Sequence, residues 1–171
     1  LSAGLVFLFL SGTANAISFQ DVTIMAGFSG SGTETWGGAW GDLNGDGYPD
    51  LFSQNHRQRA TLYRNNADGT FSDVSREVDV SGTPGWTAGR SDVDHHGGSW
   101  GDLDNDGDQD LIIGVSSSDD QVLINEGGVL INRTVEWGAV RTSSWGSGMR
   151  HKHTRMPILF DYTNDGMLDI G

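Results

Sequence analysis

Three short segments of the chain hold a large share of its carboxylates. Residues 42–50, 102–110 and 161–169 contain three, five and three aspartates, together 11 of the 23 acidic residues. Clustered carboxylates repel one another unless a cation lies between them, and hard oxygen ligands favour Ca²⁺ or Mg²⁺. Solvated acidic turns are the alternative, but unrelated turns would not share one spacing. The three segments therefore predict metal-binding loops.

All three segments fit the pattern Asp-x-[Asp/Asn/Thr]-x-Asp-Gly-x-x-Asp. Side-chain oxygens at positions 1, 3, 5 and 9 and the main-chain carbonyl at position 7 would form a set of calcium ligands, and glycine at position 6 permits the sharp turn. We predict up to three Ca²⁺ sites. The predicted ligands are Asp42, Asn44, Asp46, Asp50 and the carbonyl of Tyr48; Asp102, Asp104, Asp106, Asp110 and the carbonyl of Asp108; and Asp161, Thr163, Asp165, Asp169 and the carbonyl of Met167.

The loops resemble the start of an EF-hand, which requires a bidentate Glu at position 12 and a helix on each side. Position 12 is Ser53 in the first loop and Ile113 in the second, and apolar β-forming residues follow position 9. The sequence therefore excludes the EF-hand and the helical dockerin. Calcium is favoured over Mg²⁺ because Mg²⁺ keeps its waters and demands a tight octahedron, and its role is expected to be structural.

The loops recur with a regular period, since their first ligands lie 60 and then 59 residues apart. A Gly-x-Trp segment precedes each of the first two loops, and short β-rich runs separated by Gly, Asn, Asp and Ser turns follow them. The predicted strands after these loops are 51–53, 60–65, 68–74, 111–115, 121–125 and 128–131. Four strands per repeat at this period predict an all-β fold built of β-propeller blades.

Residues 17–171 are expected to form about two and a half blades of such a propeller. Residues 17–23 resemble 69–75 and predict a closing outer strand. Because a propeller closes with roughly four to eight blades, the sequence is expected to continue past its C-terminus. Residues 80–97 and 140–155, rich in Gly, Ser and Trp, are predicted to be long loops.

The first sixteen residues differ from the rest of the chain. An apolar run at 4–10 precedes Ala14-Asn15-Ala16, a small-x-small cleavage pattern. These features predict a secretory signal peptide over 1–16, truncated at its charged start. The apolar run is too short to cross a bilayer. The protein is therefore expected to be exported to a secreted, periplasmic or cell-surface location.

Composition excludes two kinds of partner and site. The formal net charge of −13 argues against nucleic acid, whose phosphates select basic surfaces. The chain contains no cysteine, so disulfides and thiolate metal sites are excluded.

Two motifs carry a resemblance to a known family. They are Trp-Gly-Asp-Leu-Asn-Gly-Asp-Gly-Tyr-Pro-Asp-Leu at 40–51 and Leu-Tyr-Arg-Asn-Asn-Ala-Asp-Gly-Thr-Phe-Ser-Asp-Val at 62–74. The chain resembles the FG-GAP/VCBS repeat family over about 17–171, most closely the bacterial ASPIC/UnbV branch that is similar to cartilage acidic protein. The resemblance implies an integrin-α-like β-propeller, commonly seven-bladed, with Ca²⁺ at the ligand positions named above. The third loop departs from the pattern because Thr163 replaces a carboxylate, and no C-terminal ASPIC-type domain lies within the sequence.

Other residues are candidates for roles beyond the scaffold. Histidines precede the second and third loops, where they could line the central face or bind a transition metal; ordinary polar loop residues are the alternative. These histidines are His95, His96, His151 and His153. Trp40 and Trp100 are predicted to pack within blades, whereas Trp86, Trp137 and Trp145 are candidates for stacking on sugars. No nucleophile motif and no carboxylate pair outside the loops is found, so no catalytic residue is predicted.

These features predict a non-catalytic, exported calcium-binding propeller that displays loops for recognition of a protein or glycan and for adhesion at a cell surface. Two alternatives remain open: a propeller-based carbohydrate-active enzyme, such as a polysaccharide lyase, and an accessory module of a larger secreted protein. The enzyme would need an acid/base or basic cluster converging in a pocket. Fold alone does not decide among the three.

Overall fold

The computed structural model describes residues 18–28, 35–55, 60–78, 95–115, 119–139 and 156–171. Over these residues the chain forms ten β-strands and no helix. The strands are Thr35–Gly41 (β1), Asp50–Asn55 (β2), Thr61–Asn65 (β3), Phe71–Asp73 (β4), His95–Gly101 (β5), Asp110–Val115 (β6), Gln121–Asn125 (β7), Leu130–Asn132 (β8), Leu159–Phe160 (β9) and Asp169–Ile170 (β10).

The strands form two complete blades and one hairpin. Each blade is a four-stranded antiparallel sheet in chain order, β1-β2-β3-β4 and β5-β6-β7-β8, and β9 pairs with β10. This confirms the predicted strands and the all-β, propeller-type architecture; the described sheets do not close into a ring. The first strand of each sheet lies against the first strand of the next sheet: β1 contacts β5, and β5 contacts β9.

Apolar side chains between the sheets hold the blades together. One buried cluster joins the first blade to the second and contains Leu43, Phe52, Ala60, Leu62, Val74, Val78, Leu111, Ile113, Val115, Leu123 and Leu130. A smaller cluster joins the second blade to the β9–β10 hairpin and contains Leu103, Ile112, Val122 and Ile124, with Ala139, Leu159 and Leu168 packed against it. Burial of large aliphatic side chains contributes roughly 1.5–3 kcal/mol each, so the two interfaces account for most of the stabilising contacts between the sheets.

Glycines on the inner strands allow the blades to approach closely. A Cβ atom on Gly41 would overlap the ring of Trp100 from the next blade, and one on Gly98 would lie 2.9 Å from Cδ1 of Phe52. Trp100 also donates from Nε1 to the carbonyl of Ala39 at 3.2 Å. The predicted packing role of Trp100 is therefore confirmed.

Trp40, the equivalent of Trp100 in the first blade, is different. It is 58% exposed and contacts the edge of Phe71, with ring centroids 6.0 Å apart. Trp40 thus packs on the outer strand of its own blade, and it is more exposed than Trp100 because the described residues place no preceding inner strand against it.

The N-terminal segment was predicted to be an outer strand, and this prediction is wrong over its described part. Residues 18–22 have no regular structure and 23–27 form a turn, because no described strand lies beside them to complete a ladder. Phe28, which ends the segment, packs instead on the first blade, with its ring 5.0 Å from Tyr63 and 4.7 Å from Phe71.

A polar turn that follows the fourth strand recurs in both blades. Ser75 Oγ accepts the main-chain N–H of Leu62 at 2.9 Å, and Thr134 Oγ accepts that of Val122 at 3.0 Å. Each hydroxyl supplies an acceptor to a third-strand amide where the short fourth strand has ended, so that the buried amide does not remain unpaired.

The histidine pair before the second loop lies in a strand, which corrects the predicted bounds of the loop before it. Residues 95–97 belong to β5 instead of the predicted loop 80–97, and His95 and His96 are buried on that strand, unlike ordinary polar loop residues. A register shift between His95 and Gly97 accommodates them. Residues 1–16, 80–94 and 140–155, including His151 and His153, lie outside the described residues.

Candidate metal centre

Each acidic loop connects the first and second strands of its sheet. The loops follow β1, β5 and β9, and the strand register pairs the residue before position 1 with position 9: Gly41 with Asp50, Gly101 with Asp110, and Phe160 with Asp169. A tight hairpin thus brings positions 1 and 9 of each loop to the same end of two neighbouring strands. This confirms that the loops join β-strands and not helices.

The backbone of each loop turns twice through the left-handed region. Position 6 is Gly47, Gly107 or Gly166, with φ of 84°, 100° and 88°. Position 4 is Gly45, Asn105 or Asn164, with φ of 69°, 60° and 57°. Glycine and asparagine are the residues that adopt this region most readily. The sequence analysis identified the glycine at position 6 and missed position 4, although its Gly/Asn restriction was visible in all three repeats.

Position 1 organises the turn in every loop. One oxygen of Asp102 accepts the amide of Asp106 at 3.1 Å and the other accepts that of Gly107 at 3.0 Å. The same pair of hydrogen bonds occurs in the first loop, at 3.2 and 2.8 Å, and in the third, at 3.1 and 2.9 Å. Position 5 in turn accepts the amide of position 7 in each loop, at 2.8–2.9 Å. The amides therefore hold the carboxylates facing inward.

Position 9 ties two strands together in the complete blades. Asp110 is fully buried and accepts the amide of Leu103 at 2.7 Å and that of Asn125 on β7 at 2.8 Å. Burial raises the pKa of Asp110 to about 6 against the partial offset of these amide donors. Asp50 is equally buried, accepts the amides of Leu43 and Asn65, and has its pKa raised by the same desolvation.

In the third loop, position 9 is held differently. Asp169 is half-buried, and one of its oxygens accepts the amides of both Tyr162 and Thr163, at 2.8 and 3.1 Å. The weakest motif in the sequence therefore also has the most exposed position-9 carboxylate.

The second loop has the strongest concentration of ligand atoms. Carboxylate oxygens of Asp102, Asp104 and Asp106 all lie within 4.8 Å of one another, and this is the one such acidic or histidine group among the described residues. Desolvation, together with the charge of Asp106, raises the pKa of Asp104. Three convergent oxygens, with no sulfur or nitrogen, fit a hard divalent cation.

The other two loops bring together similar atoms with fewer charges. Asn44 occupies position 3 of the first loop, where its Nδ2 donates to Asp46 at 2.9 Å; Thr163 occupies that position in the third. The predicted carbonyl ligands at position 7, Tyr48, Asp108 and Met167, lie in the same turns. Asp108 uses its side chain elsewhere, accepting the amide of Gly127 at 3.1 Å. These ligand assignments stay predictions.

Two asparagines at the end of the third strand were missed by the sequence analysis. Asn65 and Asn125 each donate from Nδ2 to the position-8 carbonyl of their own loop, at 3.1 and 3.0 Å, in addition to the main-chain contact with position 9. Both lie at the same place in the repeat, Leu-Tyr-Arg-Asn and Val-Leu-Ile-Asn. That recurrence was the available signal, but it does not reveal contact with a loop sixteen residues earlier.

Comparison with known proteins bears on these repeats directly. A family model described as an FG-GAP-like repeat matches residues 42–113 and 102–171. No curated protein matches the chain. Over the described residues, no helix is long and apolar enough to span a membrane.

Proposed function

The chain belongs to the FG-GAP-like repeat family, and on this premise we propose that its acidic loops bind calcium and fix a propeller-type scaffold that recognises a protein or glycan. The fold supplies the scaffold, since each sheet presents an acidic loop between its first two strands. Calcium binding, export and ligand recognition are the proposed parts. The convergent carboxylates of Asp102, Asp104 and Asp106 carry the proposal.

The ligand chemistry favours calcium. The predicted ligands of each loop are side-chain and main-chain oxygens, and a site with this many protein oxygens suits an ion that takes six to eight ligands. Mg²⁺ would have to give up most of its bound waters to enter such a loop. The formal charge of −13 also leaves the chain with an excess of carboxylates that a cation would offset.

Calcium would act as a structural ion. Position 9 belongs to the second strand of the blade, and positions 1 to 5 follow the first strand, so one ion would bridge both. In the second loop it would also offset the burial of Asp110, whose raised pKa reports the cost of desolvating that carboxylate. The expected effect is a more stable blade, not a chemical reaction.

The recognition role is supported by exposed aromatic surface on the turn after the second blade. Trp137 is 40% exposed, which suits stacking on a sugar ring; Trp86 and Trp145 lie outside the described residues. A propeller-based lyase and an accessory module of a larger secreted protein remain the competing proposals. Export through a signal peptide over 1–16 is part of the proposal.

Thermal unfolding of the full chain tests calcium binding. Excess Ca²⁺ is expected to raise Tm by several degrees over the protein in EDTA, because a ligand at 100 times its Kd stabilises the folded state by about 2.7 kcal/mol, and equimolar Mg²⁺ is expected to raise it less. The double variant Asp104→Asn, Asp106→Asn should lose most of this shift. Asp68→Asn, which removes a carboxylate from a hairpin outside the loops, is the matched control. An identical Tm in Ca²⁺ and EDTA would refute the proposal.

A glycan array probed with the calcium-loaded full chain tests recognition. Binding without loss of the bound glycan over time favours the recognition scaffold, and Trp137→Ala should weaken it. Depolymerisation of an acidic polysaccharide would favour the lyase instead.

A further inference from the structure

Hydrogen bonds between the two blades join the first acidic loop to the second. The main-chain amide of Asp42, at position 1 of the first loop, donates to Oε1 of Gln109, at position 8 of the second, at 2.8 Å. The side-chain amide of Asn125 donates to the carbonyl of Leu43, at position 2 of the first loop, also at 2.8 Å. The second blade therefore holds two successive residues at the start of the first loop.

Asn125 connects this contact to the ligands of its own loop. Its main-chain amide donates to Asp110 Oδ1, and its Nδ2 also donates to the carbonyl of Gln109. On the first blade, the amide of Leu43 donates to Asp50 Oδ2 at 2.9 Å. A continuous series of hydrogen bonds thus runs from position 9 of the second loop to position 9 of the first.

The side chain of Asn125 is fully buried, so water cannot readily replace its partners. Breaking a hydrogen bond to a buried amide costs the desolvation of the unpaired group, roughly 1–3 kcal/mol. Gln109 is exposed, and its bond to Asp42 competes with water. Asn125 is therefore the stronger of the two contacts, and Gln109 is the one that can be substituted with less risk to folding.

At the junction between the second blade and the third loop, the described residue at position 8 is apolar. Position 8 there is Leu168, which packs on Gly101: a Cβ atom on that glycine would lie 2.7 Å from Cδ1 of Leu168. An apolar contact of this kind is non-directional, so it holds the hairpin in place without orienting individual amides of the loop. Among the described residues, the directional contact made by position 8 therefore occurs between the first and second loops and not between the second and third.

We propose that Gln109 and Asn125 are positioning residues for the first calcium loop, so that calcium in the second loop raises the calcium affinity of the first. The inference rests on the proposed calcium binding. An ion in the second loop fixes Asp110 and the residues beside it, which in turn fix Asn125 and Gln109. The first loop then loses less conformational entropy when it binds its own ion. By linkage, calcium in the first loop raises the affinity of the second by the same factor.

A calcium titration of the nitrogen-15-labelled full chain, followed by NMR, separates the two loops. The amides of Gly47 and Gly107 each donate to the position-1 carboxylate of their own loop and so report the two sites independently. The double variant Asp104→Ala, Asp106→Ala removes the second site and is expected to raise the calcium midpoint at Gly47 about fivefold, at the low end of typical couplings. Gln109→Ala should raise it about two- to threefold. Gln109→Glu, which keeps the acceptor oxygen, should restore it.

The third loop provides the matched control. Asp161→Ala removes the first ligand of that loop and is expected to leave the Gly47 midpoint unchanged. If both glycine amides respond to calcium but the Gly47 midpoint is indifferent to loss of the second site, the coupling is overturned and calcium binding stands. If neither amide responds in the wild-type chain, calcium binding is overturned and the coupling with it. If the double variant does not fold, the Gly47 midpoints of Gln109→Ala and Gln109→Glu test the coupling instead.

Discussion

The two complete blades share one topology but differ in how deeply their strands are buried. In the second blade every residue of β6 and β7 is buried. In the first, β2 alternates between buried and half-buried residues, and only the first three residues of β3 are buried. The second blade lies between the first blade and the β9–β10 hairpin, whereas the described chain covers the other face of the first blade with the short segment ending at Phe28. Neighbouring sheets, and not the hydrogen bonds within a sheet, decide which strand faces are buried.

The amino-acid sequence follows this difference in environment. Ile113 and Val115 in β6 correspond to Ser53 and Asn55 in β2. A continuous apolar run is typical of a strand buried on both faces, and alternation is typical of a strand with one wet face. The polar residues of β2 therefore match a face that no neighbouring sheet covers among the described residues.

The largest expected effect compares Leu111 with its equivalent Leu51. Leu111 is fully buried in the cluster between the blades, so Leu111→Ala should lower the free energy of unfolding by about 2–5 kcal/mol. Leu51 is half-buried, and Leu51→Ala should cost less than half as much, since less surface returns to water. Urea unfolding of both variants measures the difference. Equal losses would show that neighbouring sheets do not control burial.

The next comparison is between position 9 of the second and third loops. Asp110→Ala leaves the amides of Leu103 and Asn125 without their acceptor and should destabilise the calcium-free chain by about 2–4 kcal/mol, given roughly 1–3 kcal/mol for each unpaired buried group. Asp169→Ala affects amides near solvent and should cost about 1 kcal/mol or less. Thermal unfolding in EDTA checks both, and a larger loss at Asp169 would contradict the comparison.

The pH dependence of the free energy of unfolding should reveal the buried carboxylate of Asp110. Its pKa is raised from 3.8 to about 6 in the folded chain, so the folded state holds the proton more tightly than the unfolded state. That contribution to stability is fully present below about pH 4 and is lost as the pH rises through 6. Calcium-free protein should therefore lose up to about 3 kcal/mol of unfolding free energy between pH 4 and 7. Asp110→Asn should flatten this slope, and an unchanged slope in that variant would assign it to other groups.

The smallest expected effect concerns the hydroxyl in the turn that follows the fourth strand. Thr134→Val removes the acceptor of the Val122 amide and should cost about 1 kcal/mol. The equivalent Thr23 is exposed and has its hydroxyl bound to Asp21 at 2.7 Å, so Thr23→Val should change stability by only a few tenths of a kcal/mol. Chemical denaturation of both variants, measured side by side, resolves the two changes in the free energy of unfolding. Equal costs would mean that the turn contributes through its local conformation alone.

Most of the fold could be predicted because the repeat makes each strand visible twice. The positions of β2, β3, β6 and β7 follow from β-forming runs at equal distances from the loops, and the position-6 glycines follow from the turn they must make. The wrong predictions concern partners. Residues 17–23 have the sequence of an outer strand, but no described strand lies beside residues 18–23.

The candidate site was predicted less completely for a related reason. The ligand spacing of one loop is local and can be read from nine residues. The contact of Asn125 with Leu43 joins residues 82 positions apart, and the side chain of Gln54 in the first blade donates to the carbonyl of His96 in the second. Such contacts depend on how blades dock, which a repeat pattern in one sequence does not specify.

The glycines before the first two acidic loops, Gly41 and Gly101, have a consequence for how the repeats pack on their correct neighbours during folding. Trp100 packs on Gly41, and the adjacent main-chain amide of Asp42 donates to the side chain of Gln109. Leu159 and Leu168 pack on Gly101 instead. A hairpin that docked at the wrong blade would bring Leu168 to the amide of Asp42, which would then lack its acceptor. Repeat proteins are prone to misassembly because their units are alike. The two junctions are chemically distinct, and this difference favours docking of each sheet on its correct neighbour.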